Sequence, residues 1–130
     1  IFNFDLERAK TVCRGIIERK LDLTIQFPNG VRGDRFDEEL VSLMAQAGTH
    51  FMAVAIETVS VKFQKLIRKN LKIDKAYQTV LWAKKYGIEV NIWTANTEED
   101  LNYCASLGAA RIITNYPKEM REFLNRNNNS

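Results

Sequence analysis

WAKKYGIEVNIWTANTEEDLNYCASLGAARIITNYP, residues 82–117, contains one structural unit twice. An amphipathic helix reaches a glycine, two or three residues pass, and an apolar β-rich run follows: Gly87 then 90–93, Gly108 then 111–114. A glycine just past a helix takes the left-handed conformation that closes the last turn. A short αβ loop then feeds a strand. The same unit appears upstream, where Gly48 precedes 51–56. The first unit lacks the glycine, and a helix over 6–19 passes through Lys20 into the apolar run 23–27.

The helices carry matching apolar stripes. Leu6, Ala9, Cys13, Ile16 and Ile17 share one face of the first, and Phe36, Leu40, Leu43, Met44 and Ala47 share one face of the second. Asp34, Ser60, Asp74 and Thr97 precede helical patterns and read as N-caps, with Asp100 close to completing a capping box on Thr97. The order is α, β (23–27), α (35–47), β (51–56), α (61–69 and 74–86), β (90–94), α (98–107), β (111–114), α (118–126). Alternation of this kind predicts a parallel sheet with right-handed crossovers. Four strands cannot close a barrel alone. The expected fold is therefore α/β, a partial (β/α) TIM-type barrel in a single domain over 1–130. An open flavodoxin-like sheet is the alternative.

The composition agrees with one soluble domain: 130 residues, 45% apolar, 27% charged, net charge +3. That apolar fraction excludes a wholly disordered chain. The longest apolar runs are far too short to span a bilayer. With no opening Met and no leader pattern, the expectation is a trimmed soluble fragment. Cys13 and Cys104 are too few and too far apart for a CxxC metal site or a disulfide framework. They read as buried free thiols in a reducing, cytoplasmic setting. The run from Lys62 to Lys75 holds six cations and one acid, with Phe63, Leu66 and Ile67 interleaved. Such a run can attract phosphates or nucleic acid, but it reads rather as a solvated basic helix face. Nucleic acid is therefore not an expected partner, and the short apolar runs make a membrane none either.

In parallel sheets, functional groups gather at the C-terminal ends of the strands. The four ends here offer Pro28, Asn29, Gly30 and Arg32; Glu57 and Thr58; Trp93, Thr94 and Asn96; and Thr114, Asn115 and Tyr116. All four sets should share one rim. Glu57 is the catalytic candidate, since a partly buried carboxylate can act as base or ligand anchor. Equally, it can pair with Arg32. Asn96 and Asn115 also fit turn positions. Trp93 fits either the core or a ligand wall. His50 lies at the opposite end of its strand and receives no role. No phosphate-binding glycine motif and no metal-spaced His/Cys cluster is present.

Two families are resembled in turn. IFNFDLERAKTVCRGIIERKLDL, FPNGVRGDRFDEELVSLMAQAG, VAIETVSVKFQKLIRKNLKIDKA and WAKKYGI, covering residues 1 to about 88, resemble the cobalamin-binding type of radical S-adenosylmethionine enzymes. That resemblance implies that Glu57 faces bound S-adenosylmethionine and that Asn29 and Arg32 lie on the cofactor side of the barrel. The family's CxxxCxxC cluster motif is missing, and three thiolates are what would hold its iron–sulfur cluster.

From about Val90, VNIWTANTEEDLNYCASLGAARIITNYPKEMREFL is similar to the C-terminal end of glycerophosphodiester phosphodiesterases. This implies the last two strands of a (β/α)₈ barrel. Trp93 would line the substrate pocket, with Thr94, Asn96, Thr114 and Asn115 around it. That family's HRG motif, catalytic histidines and metal-binding carboxylates have no counterpart here.

The chain thus reads as two barrel fragments joined near 71–90, a radical-enzyme-like segment (1–88) and a phosphodiesterase-like segment (89–130). A chimera is the leading account and a natural protein resembling both families is the second. The expected function is a half-barrel with no complete active site and no required cofactor or metal, self-associating as a homodimer or other homo-oligomer into a closed barrel. Ile25, Val54 or Ala55, Ile92 and Ile113 are expected to face the barrel interior. The alternatives are a binding module for S-adenosylmethionine or a phosphate ligand, or a remnant of either enzyme.

Overall fold

The computed structural model describes residues 2–66 and 71–128. A 3₁₀ turn over Phe2–Phe4 leads into α1 (Leu6–Glu18). Then follow β1 (Ile25–Val31), α2 (Glu38–Gln46), β2 (Thr49–Ala55), α3 (Val61–Leu66), α4 (Ile73–Lys85), β3 (Glu89–Trp93), α5 (Glu98–Ser106), β4 (Arg111–Ile113) and α6 (Pro117–Asn128). Every expected element is present. Lys62, Lys65, Lys72 and Lys75 are exposed, as a solvated basic face requires, while Ile67, Arg68 and Lys69 lie outside the described residues. Leu66, expected to pack, is 74% exposed.

The strands pair in parallel in the order β1-β2-β3-β4. Right-handed crossovers between consecutive neighbours place all connecting helices on one face. α1 accordingly lies beside α2, α2 beside α4, and α5 beside α6. A flavodoxin-like sheet reverses strand order to put helices on both faces. No reversal occurs here, so the architecture is an unclosed arc of a (β/α) barrel.

Met52, Val54, Val90 and Ile92 pack with Leu40, Met44, Val80 and Ala83 of the helices into one core. Successive strand residues point to opposite faces. The other face therefore carries Phe51, Ala53 and Ala55 from β2, Asn91 and Trp93 from β3, and Ile113 from β4. This corrects part of the interior expected from sequence. Ala55 and Ile113 face the barrel side, but Ile25, Val54 and Ile92 face the helices. The interior face is also more polar than expected, because Glu89, Asn91 and Arg111 share it.

Helix ends explain much of the geometry. Gly48, Gly87 and Gly108 all have positive φ, as their positions require. At the end of α1, Lys20 does the same job with φ 52°. Lys20 N–H donates to Ile17 O (2.9 Å) and Leu21 N–H to Ile16 O (3.1 Å), the double closure of a Schellman motif. A side chain in this conformation costs about 1–2 kcal/mol, and glycine avoids it at a smaller entropic penalty. Lys20→Gly should therefore raise stability by about 0.5–1 kcal/mol, read as a higher urea midpoint. A lower midpoint would rule out strain at this turn.

Two expected caps are corrected. Asp37, not Asp34, caps α2 by accepting from Leu40 N–H at 2.8 Å. Asp34 is drawn instead to Arg32 (Nε to Oδ1, 2.7 Å) and to Lys72 N–H (3.1 Å). Asp74 lies inside the first turn of α4, whose N-cap is Lys72. Thr97 and Asp100 form the capping box. Asp5 caps α1 through Arg8 N–H.

Between α1 and α2 sits a buried cation. Lys10 Nζ lies 2.6 Å from Asp37, 2.8 Å from Glu39 and 3.4 Å from Glu7. Hydrogen bonding to Asp37 first, then to Glu39, raises the Lys10 pKa above its ordinary value. Burial pushes the Asp37 carboxyl up, and the Lys10 ammonium and the Leu40 N–H outweigh it, leaving the pKa lowered. The Glu39 carboxyl is lowered by Lys10 and then Arg14. Groups lowered on folding stabilise the protein above their unfolded pKa and lose that contribution as pH falls through the folded value. The melting temperature should hold from neutral pH to about pH 5 and fall below about pH 4. Lys10→Met should flatten that acid limb. An unchanged acid limb in the variant would remove the cluster as its cause.

Candidate functional site

The rim is built by an irregular β1. Its register with β2 runs from Phe27↔Met52 directly to Val31↔Val54. Pro28, Asn29 and Gly30 thus bulge opposite Ala53 alone. An edge strand tolerates this, since proline there removes no inner ladder bond. The segment read as following the strand is therefore part of it, and Arg32 is the first residue beyond. Gly30 has φ +83°, and a Cβ on it would stand 2.9 Å from Trp93 Cζ2. Only glycine lets the bulge lie against the indole.

A cleft of about 230 Å³ opens here, lined by Asn29, Gly30, Arg32, Ala55, Glu57 and Trp93, among others. Of the expected site residues, Asn29, Arg32, Glu57 and Trp93 come together in it. Trp93 is half-buried on the barrel face and belongs to the cleft wall rather than to the helix-side core, with its indole Nε1 buried and without a partner among the described residues. Arg32 forks onto Asp34, with a second contact of 3.3 Å from Nη2 to Oδ2. Burial opposes ionisation of Asp34, and Arg32 with the Lys72 N–H overcomes it, so its pKa stays low.

Glu57 is half-buried with φ +67°, the left-handed region that non-glycine residues rarely adopt. Its N–H and that of Ile56 both donate to Trp93 O, at 2.9 and 2.7 Å. Thr94 Oγ1 stands 3.5 Å from Glu57 Oε2. The remaining rim residues form a separate knot. Asn96 Oδ1 accepts from Asn115 N–H (3.0 Å) and Thr114 Oγ1 (3.4 Å), and Thr114 Oγ1 accepts from Tyr116 N–H (3.1 Å). Asn96 and Thr114 therefore tie the ends of β3 and β4, and the single rim expected from sequence divides into a cleft and a tie.

Two anchors behind the cleft have no site role in the sequence pattern, where Asp100 figures only as a helix cap and Gln64 not at all. Asp100, 3% exposed, accepts from Val59 N–H (2.8 Å) and Thr58 Oγ1 (3.1 Å), fixing the segment after Glu57. Gln64 donates to Ile56 O at 2.7 Å and accepts from Leu71 N–H at 3.3 Å. His50, at the far strand end, bonds to Gln26.

Similarity searches connect this geometry to known proteins. No family model matches the chain. It is 30% identical over 88 residues to cytidylyl-2-hydroxyethylphosphonate methyltransferase of Streptomyces wedmorensis, covering 67% of this chain and 16% of that protein. It is 38% identical over 64 residues to lysophospholipase D GDPD1 of Rattus norvegicus, covering 49% of this chain and 20% of the relative. The chain resembles two different enzymes in part.

Two solved structures of the radical S-adenosylmethionine methyltransferase TsrM from Kitasatospora setae share the fold. One holds tryptophan and the analogue aza-SAM (TM-score 0.69, 19% identity), the other cobalamin and a 4Fe–4S cluster (TM-score 0.68, 20% identity). Each match covers 87% of this chain, and 25% and 24% of the respective neighbours. At that identity the likeness speaks for the fold. The chain thus spans a quarter or less of each of these four chains.

This chain's own donors do not fit an iron–sulfur cluster. Its two cysteines lie apart on α1 and α5, both buried, and burial raises the pKa of each thiol, Cys104 to about 12. Among the described residues no group of three or more His, Cys, Asp or Glu is placed to hold a metal. Among them, too, no helix is long and apolar enough to cross a membrane.

Proposed function

We propose that this chain is a half-barrel unit without a complete active site, whose role is to associate with a second copy and close the sheet in the cytoplasm. One observation carries this reading: a parallel sheet in straight sequential order, with every connecting helix on one face. The opposite face and the outer edges of β1 and β4 are what a barrel would bury. Ile113 is 42% exposed there. Light scattering at micromolar concentration should give twice the chain mass of 15.0 kDa. A monomer mass would reject the reading.

The two resemblances support an origin from two (β/α)₈ barrels. Stretches of 88 and 64 residues in a chain of 130 overlap by at least 22 residues. Some of the chain therefore resembles both proteins, which fits a joint in a helix-to-strand unit where the two barrels superpose. Neither the CxxxCxxC motif nor the phosphodiesterase histidines are in the sequence, so neither chemistry is assigned to the chain.

A second reading is favoured by Glu57. Left-handed backbone at a non-glycine residue is retained where surroundings enforce it, often at ligand sites. The cleft would then take one end of S-adenosylmethionine or of a phosphate ligand, since about 230 Å³ is below the ~300 Å³ of typical small-molecule sites. Calorimetric titration with S-adenosylmethionine and with glycerol phosphate tests this. Heat lost in Glu57→Gly, with the fold intact, would support the second reading, and no heat from either compound would reject it.

A further inference from the structure

The number of helices constrains how two copies can meet, and this inference rests on the self-association reading. A (β/α) barrel has one helix position between each pair of adjacent strands. α1 stands in the position before β1, beside α2, while α6 follows β4, the place where a next barrel helix would stand, and touches α5 with its last turn at the α5 start. When two four-stranded arcs close, the position after β4 of one copy is the position before β1 of the other. One helix must yield. α1 is built in, with Ala9 and Cys13 in the core and Lys10 buried among carboxylates. In α6 only Met120 is buried among the described side chains, and Leu124 is 38% exposed. A cleft of about 340 Å³ stays open between α6, α5 and β4, lined by Leu101, Ile112, Met120 and Leu124, among others. Arg126 pairs across to Glu98 at 3.2 Å.

We propose that α6 is a displaceable strap covering the docking position for α1 of a second copy. The surfaces are complementary. Lys10 and Arg14 mark the flank of α1 that faces α2. At 3.6 residues per turn, the opposite flank carries Arg8 and Val12. Val12 is 43% exposed, and the Arg8 guanidinium has no partner among the described residues. Glu98 opens α5 and Arg8 lies in the first turn of α1. Barrel helices run parallel, so the two stand at the same level. Val12 of the partner subunit would pack on Leu101 and Ile112, which the departing α6 uncovers, and Arg8 of the partner subunit would replace Arg126 on Glu98.

The test is sedimentation of the full chain and of exposed-charge variants, with circular dichroism confirming the fold. Arg126→Glu should release the strap and tighten the dimer about tenfold, and Arg8→Glu should weaken it about tenfold. Combining Arg8→Glu with Glu98→Arg should recover most of that loss. Met120→Asp, which loosens α6 by another route, should act in the same direction as Arg126→Glu. If a dimer forms and none of these changes its affinity, the strap is wrong and self-association stands. If no variant associates, both fall.

Discussion

Gly48→Ala is expected to leave little folded protein, whereas Gly87→Ala should cost only about 1–2 kcal/mol. Both glycines close helices in the same way, with φ +97° and +76°. Their surroundings differ. A Cβ at Gly48 would stand 1.9 Å from the carbonyl oxygen of Leu23, which is backbone and cannot swing aside. At Gly87 the same atom meets nothing within 4 Å. Gly48 O also accepts from Ile25 N–H at 2.9 Å, so any retreat of the loop pulls on the start of β1. Backbone strain and lost pairing together should exceed about 3 kcal/mol, a large part of the stability of one domain. Urea unfolding of the two variants checks the contrast. Equal midpoints would mean that Leu23 gives way and that the α1–β1 connection is softer than its packing indicates.

That contrast marks what the sequence could and could not tell. The positions of Gly48, Gly87 and Gly108 located three strands because helix closure is local chemistry. Lys20 carried no such signal, since a lysine rarely takes the left-handed conformation, and its turn is closed by backbone bonds to Ile17 O and Ile16 O. Asp34 and Asp37 are both sound caps by residue type. Arg32 and the distant Lys72 N–H claim the first, and local pattern cannot see that. Strand parity was hidden for a related reason. Strands of a parallel sheet are apolar on both faces, so Val54 and Ala55 looked interchangeable until register fixed Val54 toward the helices.

The candidate site was legible to the same depth. The rule that parallel strands present function at their C-terminal ends chose Asn29, Arg32, Glu57 and Trp93, and they share a cleft. Asn96, Thr114 and Asn115 obey the same rule but tie two loops together. The β1 bulge was missed because proline and glycine ordinarily end strands. Here the strand continues because it is an edge.

Asp100→Ala should lower stability by about 2–4 kcal/mol and loosen the segment beside Glu57. Asp100 shows how a capping residue reaches the site. Its Oδ2 accepts from Thr97 N–H (3.3 Å), the inner half of the capping box on α5. Its Oδ1 accepts from Val59 N–H and Thr58 Oγ1, on the segment that follows β2. One buried carboxylate thus serves a helix start and the segment after Glu57 together. Removing it leaves two N–H groups and a hydroxyl without their acceptor, and the half-buried pair, Val59 N–H and Thr58 Oγ1, loses most because water reaches it least. Asp100→Asn keeps one acceptor oxygen and should lose about half as much. Thr58→Ala removes one of the contacts and should cost about 1 kcal/mol. Hydrogen exchange at the Val59 amide separates the local effect from the global one. Its protection should drop in Asp100→Ala by more than the fall in overall stability accounts for. If Val59 stays as protected as the core amides, Asp100 matters to α5 alone and the rim is held by Gln64 and the Trp93 carbonyl.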